Sequence, residues 1–206
     1  MTFSQSRDFM AGVKLKYDVK DWFTVNLSLH GDFYDRFKRH ERIDERKNVY
    51  KSKIFEPRLT LTSSYFAGHN IILGVEHTTD ELTSDRFVNR RMTTRSLHET
   101  EYFLQDEWTV NSHWMLSSGV RTNFSKAFGF MWMPKIAIKY APDNHWALRA
   151  NYSMGYRAPS IKELFFNWDH LGMFQIKGSE NLQSEKNNYF SLGAEYSKDR
   201  FFINVN

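Results

Sequence analysis

The residues with the clearest capacity for chemistry lie between positions 156 and 182, in a stretch rich in aromatic and charged side chains. His170 carries an imidazole, which is a common axial ligand of haem iron. A loop histidine is also often simply solvated, so the residue type leaves ligation and solvation open. Neighbouring rings can give a flat ligand an apolar surface, or can pack the loop on itself: Phe165, Phe166, Trp168 and Phe174.

A second group of candidates begins at Arg157, whose planar guanidinium suits a two-point contact with a carboxylate. That carboxylate belongs to a ligand, such as a haem propionate, or to the protein, and we favour an acid of the protein such as Glu163. Ser160 and Glu163 directly follow Pro159 with the spacing of a capping box. This spacing predicts a short helical turn that holds the following loop in place.

The signatures of common enzymes are missing from the sequence, which has no Gly-x-Ser-x-Gly elbow, phosphate-binding loop or dinucleotide fingerprint. His98 and Glu99 begin like a zinc-protease motif, but Tyr102 stands where the second histidine belongs. Asp106 and Glu107 are adjacent on a predicted strand and therefore point to opposite faces. We predict a protein that is not an enzyme, has no intrinsic cofactor and, because its basic residues are mixed with acids, does not bind nucleic acid.

The elements that must position these residues are predicted strands, in which apolar and polar side chains alternate. Examples run from residue 9 to 17 and from 189 to 196. The alternation predicts ten strands and nine connections, with five tight turns at one end and four long loops at the other. The long loops are predicted at about 37 to 50, 80 to 98 and 123 to 132, and over roughly thirty residues after Arg157. This order is typical of an antiparallel up-and-down sheet.

The composition is unusual for a soluble protein, because 17% of the 206 residues are aromatic although the mean hydropathy is -0.61. Membrane β-barrels combine these properties, since one face of each strand meets lipid and the other meets water. No apolar run approaches the roughly 18 residues of a spanning helix. The predicted tight turns are flanked by rings that suit an interfacial girdle, or the cap of a soluble sandwich: Tyr17, Trp22, Tyr65, Phe66, Trp108, Trp114, Tyr140, Trp146, Tyr196 and Phe201.

We therefore predict an all-β fold, an antiparallel up-and-down transmembrane β-barrel of which this chain forms about ten strands. Residues 1–206 are expected to form one partial barrel domain with no second domain. We expect outer-membrane lipid around it, because short periplasmic turns and long extracellular loops are typical of outer-membrane barrels.

Two stretches carry a resemblance to a known family. Residues 102–108 with 116–121 resemble a recurrent hairpin of TonB-dependent outer-membrane receptors, and residues 155–164 resemble their Phe/Tyr-Arg-Ala-Pro box. The resemblance implies a bacterial outer-membrane barrel of about 22 strands with a plugged lumen. It also implies that this chain is an internal segment without the plug, and that the TonB energy-coupling protein is a partner through the absent N-terminal region.

Within that family, the haem-uptake branch places a histidine between the Arg-Ala-Pro box and an Asn-Pro-Asp/Asn-Leu box. His170 lies in this interval, and Asn181 with Leu182 keeps the ending of the second box, which here has no proline. The resemblance implies ligand binding by five residues, with His170 on haem iron: Tyr156, Arg157, Trp168, His170 and Asn181. It implies structural roles for five others: Ala158, Pro159, Ser160, Glu163 and Leu182.

The resulting hypothesis is active uptake of an iron-containing small molecule, with haem as the preferred ligand bound by the extracellular loops. The same receptor class can instead take up a ferric siderophore, cobalamin or a glycan. A passive porin or a surface adhesin is the alternative from another class.

Overall fold

A computed structural model describes residues 2–40, 45–87, 91–170 and 172–206, and most of them belong to long β-strands. Ten of the strands form one sheet, and a helix and a small hairpin interrupt the chain between β8 and β11. The elements in chain order are β1 (Thr2–Lys20), β2 (Phe23–His40), β3 (Glu45–Ser63), β4 (His69–Ser84), β5 (Thr93–Thr109), β6 (Trp114–Ser125), β7 (Gly129–Tyr140), β8 (Trp146–Arg157), α1 (Ile161–Phe165), β9 (Asn167–His170), β10 (Phe174–Lys177), β11 (Glu185–Lys198) and β12 (Phe201–Val205).

The large sheet has the simplest possible topology. Its strands follow the order β1-β2-β3-β4-β5-β6-β7-β8-β11-β12, and each neighbouring pair is antiparallel. The predicted all-β, up-and-down architecture is therefore confirmed, with ten strands in an open sheet. Among the described residues, no helix is long and apolar enough to span a membrane.

The two faces of the sheet differ as the alternating pattern predicts. One face presents large apolar side chains to the surroundings, and Phe190 and Leu192 are 72% and 76% exposed. The opposite face carries ion pairs between neighbouring strands, including Arg121 with Glu101 at 2.7 Å and Arg149 with Glu195 at 2.8 Å. We call these the apolar face and the polar face. An apolar face of this size is expected where a sheet meets hydrocarbon rather than water.

The tight-turn end of the sheet gathers the aromatic rings that the sequence places beside the turns. Ring centroids lie 4.9 Å apart for Trp22 and Tyr65, 4.3 Å apart for Trp114 and Tyr140, and 4.8 Å apart for Trp146 and Tyr196. The rings therefore form clusters near the turns of neighbouring hairpins, as an interfacial girdle requires.

The predicted bounds of three of the four long loops are wrong, because the strands continue well into these stretches. β2 reaches residue 40 and β3 begins at 45, with 41–44 outside the described residues. β4 ends at residue 84 and β5 begins at 93, while only residues 126–128 separate β6 from β7. Apolar and polar residues stop alternating where both faces of a strand are polar, yet the backbone ladder continues there and needs no apolar face.

Candidate ligand-binding site

The fourth predicted long loop, from Ala158 to Ser184, is the segment with most structure of its own. It leaves β8, forms α1 and the β9–β10 hairpin, and returns to β11. We call residues 158–184 the docked loop, because its apolar side chains pack on the loop end of the sheet. Ile161, Leu164 and Phe166 are 1%, 4% and 5% exposed.

The partners of the docked loop come from distant strands. Ile161 and Phe166 share a buried cluster with Leu82 of β4 and Phe87, which follows β4. The rings of Phe87 and Phe166 meet edge to face at 5.5 Å, and their residues form an isolated antiparallel bridge. Partly buried residues surround this cluster: Tyr50, Leu97 and Phe165. Burial of these side chains fixes the loop against β3, β4 and β5.

The start of the docked loop is held by the predicted capping box. The Ser160 hydroxyl accepts a hydrogen bond from the Glu163 backbone N–H, and the Ser160 backbone N–H donates to Glu163 Oε2 at 2.8 Å. Both halves of the box are present, so the predicted helical turn is confirmed as α1. Pro159 is buried just before the cap, and Ala158 is half-buried.

Arg157 pairs with acids of the protein, as the sequence favours. Its Nη2 lies 2.6 Å from Glu163 Oε1, and its Nη1 lies 3.1 Å from Glu185 Oε1 of β11. The guanidinium therefore ties both ends of the docked loop together, and we call these three residues the clasp. The Ser160 backbone N–H, and then the Arg157 guanidinium, lower the pKa of Glu163 to about 2.

Two polar clefts lie between the docked loop and the loop ends of the first strands. The first has a volume of about 470 Å³ and is lined by Lys38, Val49, Asp85, Arg86, Asn167, Trp168, Asp169 and Gly172. The second has a volume of about 460 Å³ and is lined by Asp8, Asp32, Tyr34, Arg36, Tyr50, Ser52, Arg86, Lys162 and Phe166. Arg86 contributes to both clefts, so they adjoin at this side chain.

Two of the four cations that line the clefts lie against aromatic rings. The Arg86 guanidinium lies 4.2 Å from the Trp168 ring centroid, and the Lys162 ammonium lies 5.3 Å from that of Tyr50. Within the described ranges, Arg36, Lys38, Arg86 and Lys162 form no salt bridge. Such cations keep hydrogen-bond donors available for oxygen atoms of a ligand.

The β9–β10 hairpin forms the outer part of the docked loop. Asn167 N–H donates to the Arg86 carbonyl at 2.8 Å, which attaches the hairpin to the chain beyond β4. The rings of Trp168 and Phe174 meet edge to face at 5.8 Å. The backbone of His170 pairs with Phe174, but the His170 side chain lies outside the part of the chain that the structure describes.

The remaining predicted ligand-binding residues lie away from the two clefts. Tyr156 has a buried hydroxyl within electrostatic reach of Glu99 and Glu101 on β5. Asn181 N–H donates to Ser179 Oγ at 3.4 Å, so Asn181 belongs to a turn before β11. Leu182 is 42% exposed in the same turn. Of the five predicted ligand-binding residues, the structure brings Trp168 into a cleft and keeps Arg157 in the clasp.

The sequence alone did not single out several of the residues that line the clefts. Lys38 and Tyr50 fall in the stretch predicted as a charged loop, Arg36 directly precedes it, and Arg86 falls in the second predicted loop. The sequence feature that could have indicated them is the mixture of tyrosine with basic residues near 34–51. This mixture is also typical of an ordinary polar surface, and only the fold of β2 and β3 brings it beside α1. Among the described residues, no three or more histidine and acidic side chains form a group suited to a metal ion.

The apolar face, the aromatic rings at the tight turns and the docked loop together define a segment of an outer-membrane β-barrel. A family model described as "TonB dependent receptor-like, beta-barrel" matches residues 1–206. The chain therefore belongs to this family, and the predicted bacterial outer-membrane location is confirmed.

Curated relatives include the iron-regulated outer membrane virulence proteins of two strains of Vibrio cholerae. The El Tor protein is 25% identical over 180 residues, a match that covers 84% of this chain and 28% of the relative. The Classical Ogawa protein is 24% identical over 181 residues, which covers 86% of this chain and 26% of the relative. This chain thus spans about a quarter of the length of these relatives.

Solved structures share the fold at low sequence identity. A mutant of the ferric enterobactin receptor PfeA from Pseudomonas aeruginosa matches with a TM-score of 0.80 and 17% identity, over 97% of this chain and 33% of that chain. The siderophore receptor PirA from Acinetobacter baumannii matches with a TM-score of 0.76 and 12% identity, over 95% of this chain and 33% of that chain. The ferric-catecholate import receptor Fiu from E. coli matches with a TM-score of 0.69 and 12% identity, over 95% of this chain and 39% of that chain.

Proposed function

We propose that this chain forms part of the wall and the ligand-binding mouth of a receptor for active uptake of an iron-containing small molecule. In this proposal, energy reaches the receptor through TonB, and the ligand is cargo rather than a resident cofactor. The observation that carries the proposal is the pair of clefts between the docked loop and the wall, where cations without salt bridges adjoin aromatic rings. One Vibrio relative is an iron-regulated outer membrane virulence protein, and its regulation by iron supports iron as the element in the transported ligand.

The chemistry of the clefts favours a ferric siderophore whose donor oxygens are anionic and borne on aromatic rings. Arg36, Arg86 and Lys162 face two acids, Asp8 and Asp32, in the second cleft. Cations offer charge-assisted hydrogen bonds to such oxygens, and the rings of Tyr34, Tyr50 and Trp168 offer flat apolar contact. The similar solved structures include receptors described as binding ferric enterobactin or ferric catecholates, which supports the same ligand class.

Haem is the second candidate, and the β9–β10 hairpin favours it. His170 follows Trp168 by two residues and pairs through its backbone with Phe174. The rings of Trp168 and Phe174 meet edge to face. A porphyrin presents a flat apolar surface to such rings, and its iron accepts a neutral imidazole. Cobalamin and a glycan stay as further alternatives of the same receptor class.

The test uses the intact protein in the outer membrane of a bacterial strain that lacks its own iron receptors. Binding and uptake of ferric enterobactin and of haem are measured with Arg86→Gln, His170→Ala and a control, Arg200→Gln, in the tight turn between β11 and β12. We expect Arg86→Gln to weaken siderophore binding about tenfold, the effect of losing a charged hydrogen bond. Arg200→Gln should leave binding unchanged.

The outcomes separate the ligands and the transport class. Siderophore binding that Arg86→Gln leaves intact, together with haem binding lost in His170→Ala, would replace the siderophore by haem. Uptake that continues at the same rate after deletion of TonB would contradict active transport and favour a porin. No binding of either ligand would contradict both iron-containing candidates and leave cobalamin, a glycan or a surface adhesin.

A further inference from the structure

A charged side chain stands on the apolar face near the tight turns, where the sequence pattern calls for an apolar residue. In β5, Tyr102, Leu104 and Trp108 are 51%, 47% and 38% exposed on this face, and Asp106 lies between Leu104 and Trp108 with the same alternation. Asp106 is opposite Ile71 of β4 and Ser118 of β6. An ionisable group within a lipid-facing row is costly, and it therefore suggests a function with a definable partner.

Asp106 forms an ion-pair contact with the first residue of β4. Its Oδ2 lies 2.8 Å from His69 Nδ1, and both side chains are about 30% exposed. The His69 ring also stacks on Trp108, with centroids 5.1 Å apart and planes 11° apart. We call these three residues the rim site, because they lie at the tight-turn end beside the aromatic girdle.

The geometry of the rim site leaves two polar functions unused. Because Asp106 engages Nδ1, the other ring nitrogen of His69, Nε2, has no partner among the described residues. Asp106 Oδ1 is buried and also lacks a hydrogen-bond donor within the described ranges. A single imidazole contact therefore satisfies only part of the hydrogen-bonding capacity of this carboxylate.

The surroundings indicate what kind of molecule can use these functions. Leu73, Leu104 and Ile71 share the face with the rim site, so a ligand must bring apolar chains as well as polar groups. A carboxylate accepts hydrogen bonds from a cation with N–H donors, and an imidazole N–H donates to a phosphate oxygen. A phospholipid headgroup with a phosphate and a primary amine combines all three properties.

We propose that the rim site binds the headgroup of a phosphoethanolamine lipid in the leaflet next to the tight turns. The ammonium lies against the exposed edge of the Asp106 carboxylate, since Oδ1 itself is buried. The phosphate lies against His69 Nε2, and the acyl chains follow the apolar face. Trp108 fixes the imidazole ring and contacts the glycerol region, as girdle tryptophans do at headgroup level. This site is independent of the clefts and of the iron-containing ligand.

The test measures lipid binding to the intact protein in detergent by native mass spectrometry. The probes are phosphatidylethanolamine, phosphatidylcholine and phosphatidylglycerol with identical acyl chains, and soluble phosphoethanolamine as a competitor. We expect binding of phosphatidylethanolamine to be about tenfold tighter than that of the other two lipids, because a trimethylated amine has no N–H and a glycerol headgroup has no cation. The soluble headgroup should compete only weakly, because it lacks the chains.

Two variants and one control make the test specific. Asp106→Asn and His69→Gln should each remove the preference for phosphatidylethanolamine, while circular dichroism shows an unchanged sheet. Glu107→Gln is the matched control, because Glu107 is the next residue of β5, lies on the polar face and accepts a hydrogen bond from Gln105. Equal binding of the three lipids to the unmodified protein, or an unchanged preference in Asp106→Asn, would overturn the proposal. Full displacement by soluble phosphoethanolamine would assign the site to a free phosphoamine instead of a lipid.

Discussion

The two ends of the sheet are organised by different kinds of interaction. At the tight-turn end, side chains within a turn close it, as when Asn111 Oδ1 accepts hydrogen bonds from the backbone N–H groups of His113 and Trp114. Single backbone hydrogen bonds then link neighbouring turns. At the loop end, the docked loop depends on Leu82 and Phe87, which are far from it in sequence. The turns therefore rest largely on residues within them or in the neighbouring hairpin, whereas the clefts exist only when the docked loop is in place.

The largest expected effect comes from removing a buried side chain that holds the docked loop on the sheet. Ile161→Ala removes a side chain that is 1% exposed, and we expect docking of the loop to lose about 2–5 kcal/mol. Limited proteolysis should cut residues 158–184 much faster, while the sheet keeps its circular dichroism. Leu192→Ala is the control, since Leu192 is 76% exposed on the apolar face. Equal protease resistance of the two variants would contradict the docked arrangement.

A somewhat smaller effect is expected from placing charge on the apolar face. Leu104→Arg puts a cation against hydrocarbon, and assembly into lipid bilayers should lose roughly 2–4 kcal/mol if this position is near the bilayer centre. Gln105→Arg, one residue further along β5 on the polar face, should assemble normally. Folding into vesicles of the two variants measures the difference. Similar yields for both variants would argue that the apolar face does not meet lipid.

The clasp should give the docked loop a characteristic pH dependence. The pKa of Glu163 is lowered from 4.5 to about 2, so its ionised form favours the docked loop above pH 4.5. This contribution should decline as the pH falls from 4.5 towards 2. Protease resistance at acidic pH, measured with an acid-stable protease, should follow this range in the unmodified protein and be flat in Glu163→Gln. A flat profile in both proteins would show that the clasp does not stabilise the docked loop.

The smallest effect is expected at a tight turn, where two hairpins use the same device. Asp143 Oδ1 accepts hydrogen bonds from the backbone N–H groups of His145 and Trp146, just as Asn111 serves His113 and Trp114. These bonds lower the pKa of Asp143. Asp143→Asn should therefore leave stability at neutral pH nearly unchanged, whereas Asp143→Ala should lower the unfolding midpoint in urea. Equal midpoints for all three proteins would contradict a role for this side chain.

These differences explain how much of the molecule the sequence could predict. Alternation along β1 and β8, and turn residues such as Asn111, are local signals, so the strand order and the tight turns were predictable. The capping box at Ser160 and Glu163 was predictable for the same reason. The ends of the strands were not, because polar residues dominate the sequence of 45–52 and 93–99 and no regular apolar alternation marks them as strand.

The candidate site was only partly predictable. Trp168 and Arg157 stood out within one short stretch, and the preference of Arg157 for Glu163 followed from their proximity in the chain. Arg86 and Lys162 could not be brought together from sequence, because their meeting depends on Phe87 packing against Phe166. The role of His170 in ligand binding stays a prediction.

Fluorescence of Trp168 tests most directly whether the clefts bind an iron-containing ligand. Trp168 lines the first cleft beside Arg86, whereas Trp132 is 56% exposed on β7. Titration of the intact protein with ferric enterobactin should quench the emission to saturation, Trp168→Phe should abolish most of that quenching, and Trp132→Phe should preserve it. Saturable quenching that is the same in Trp168→Phe and the unmodified protein would contradict binding between the docked loop and the wall.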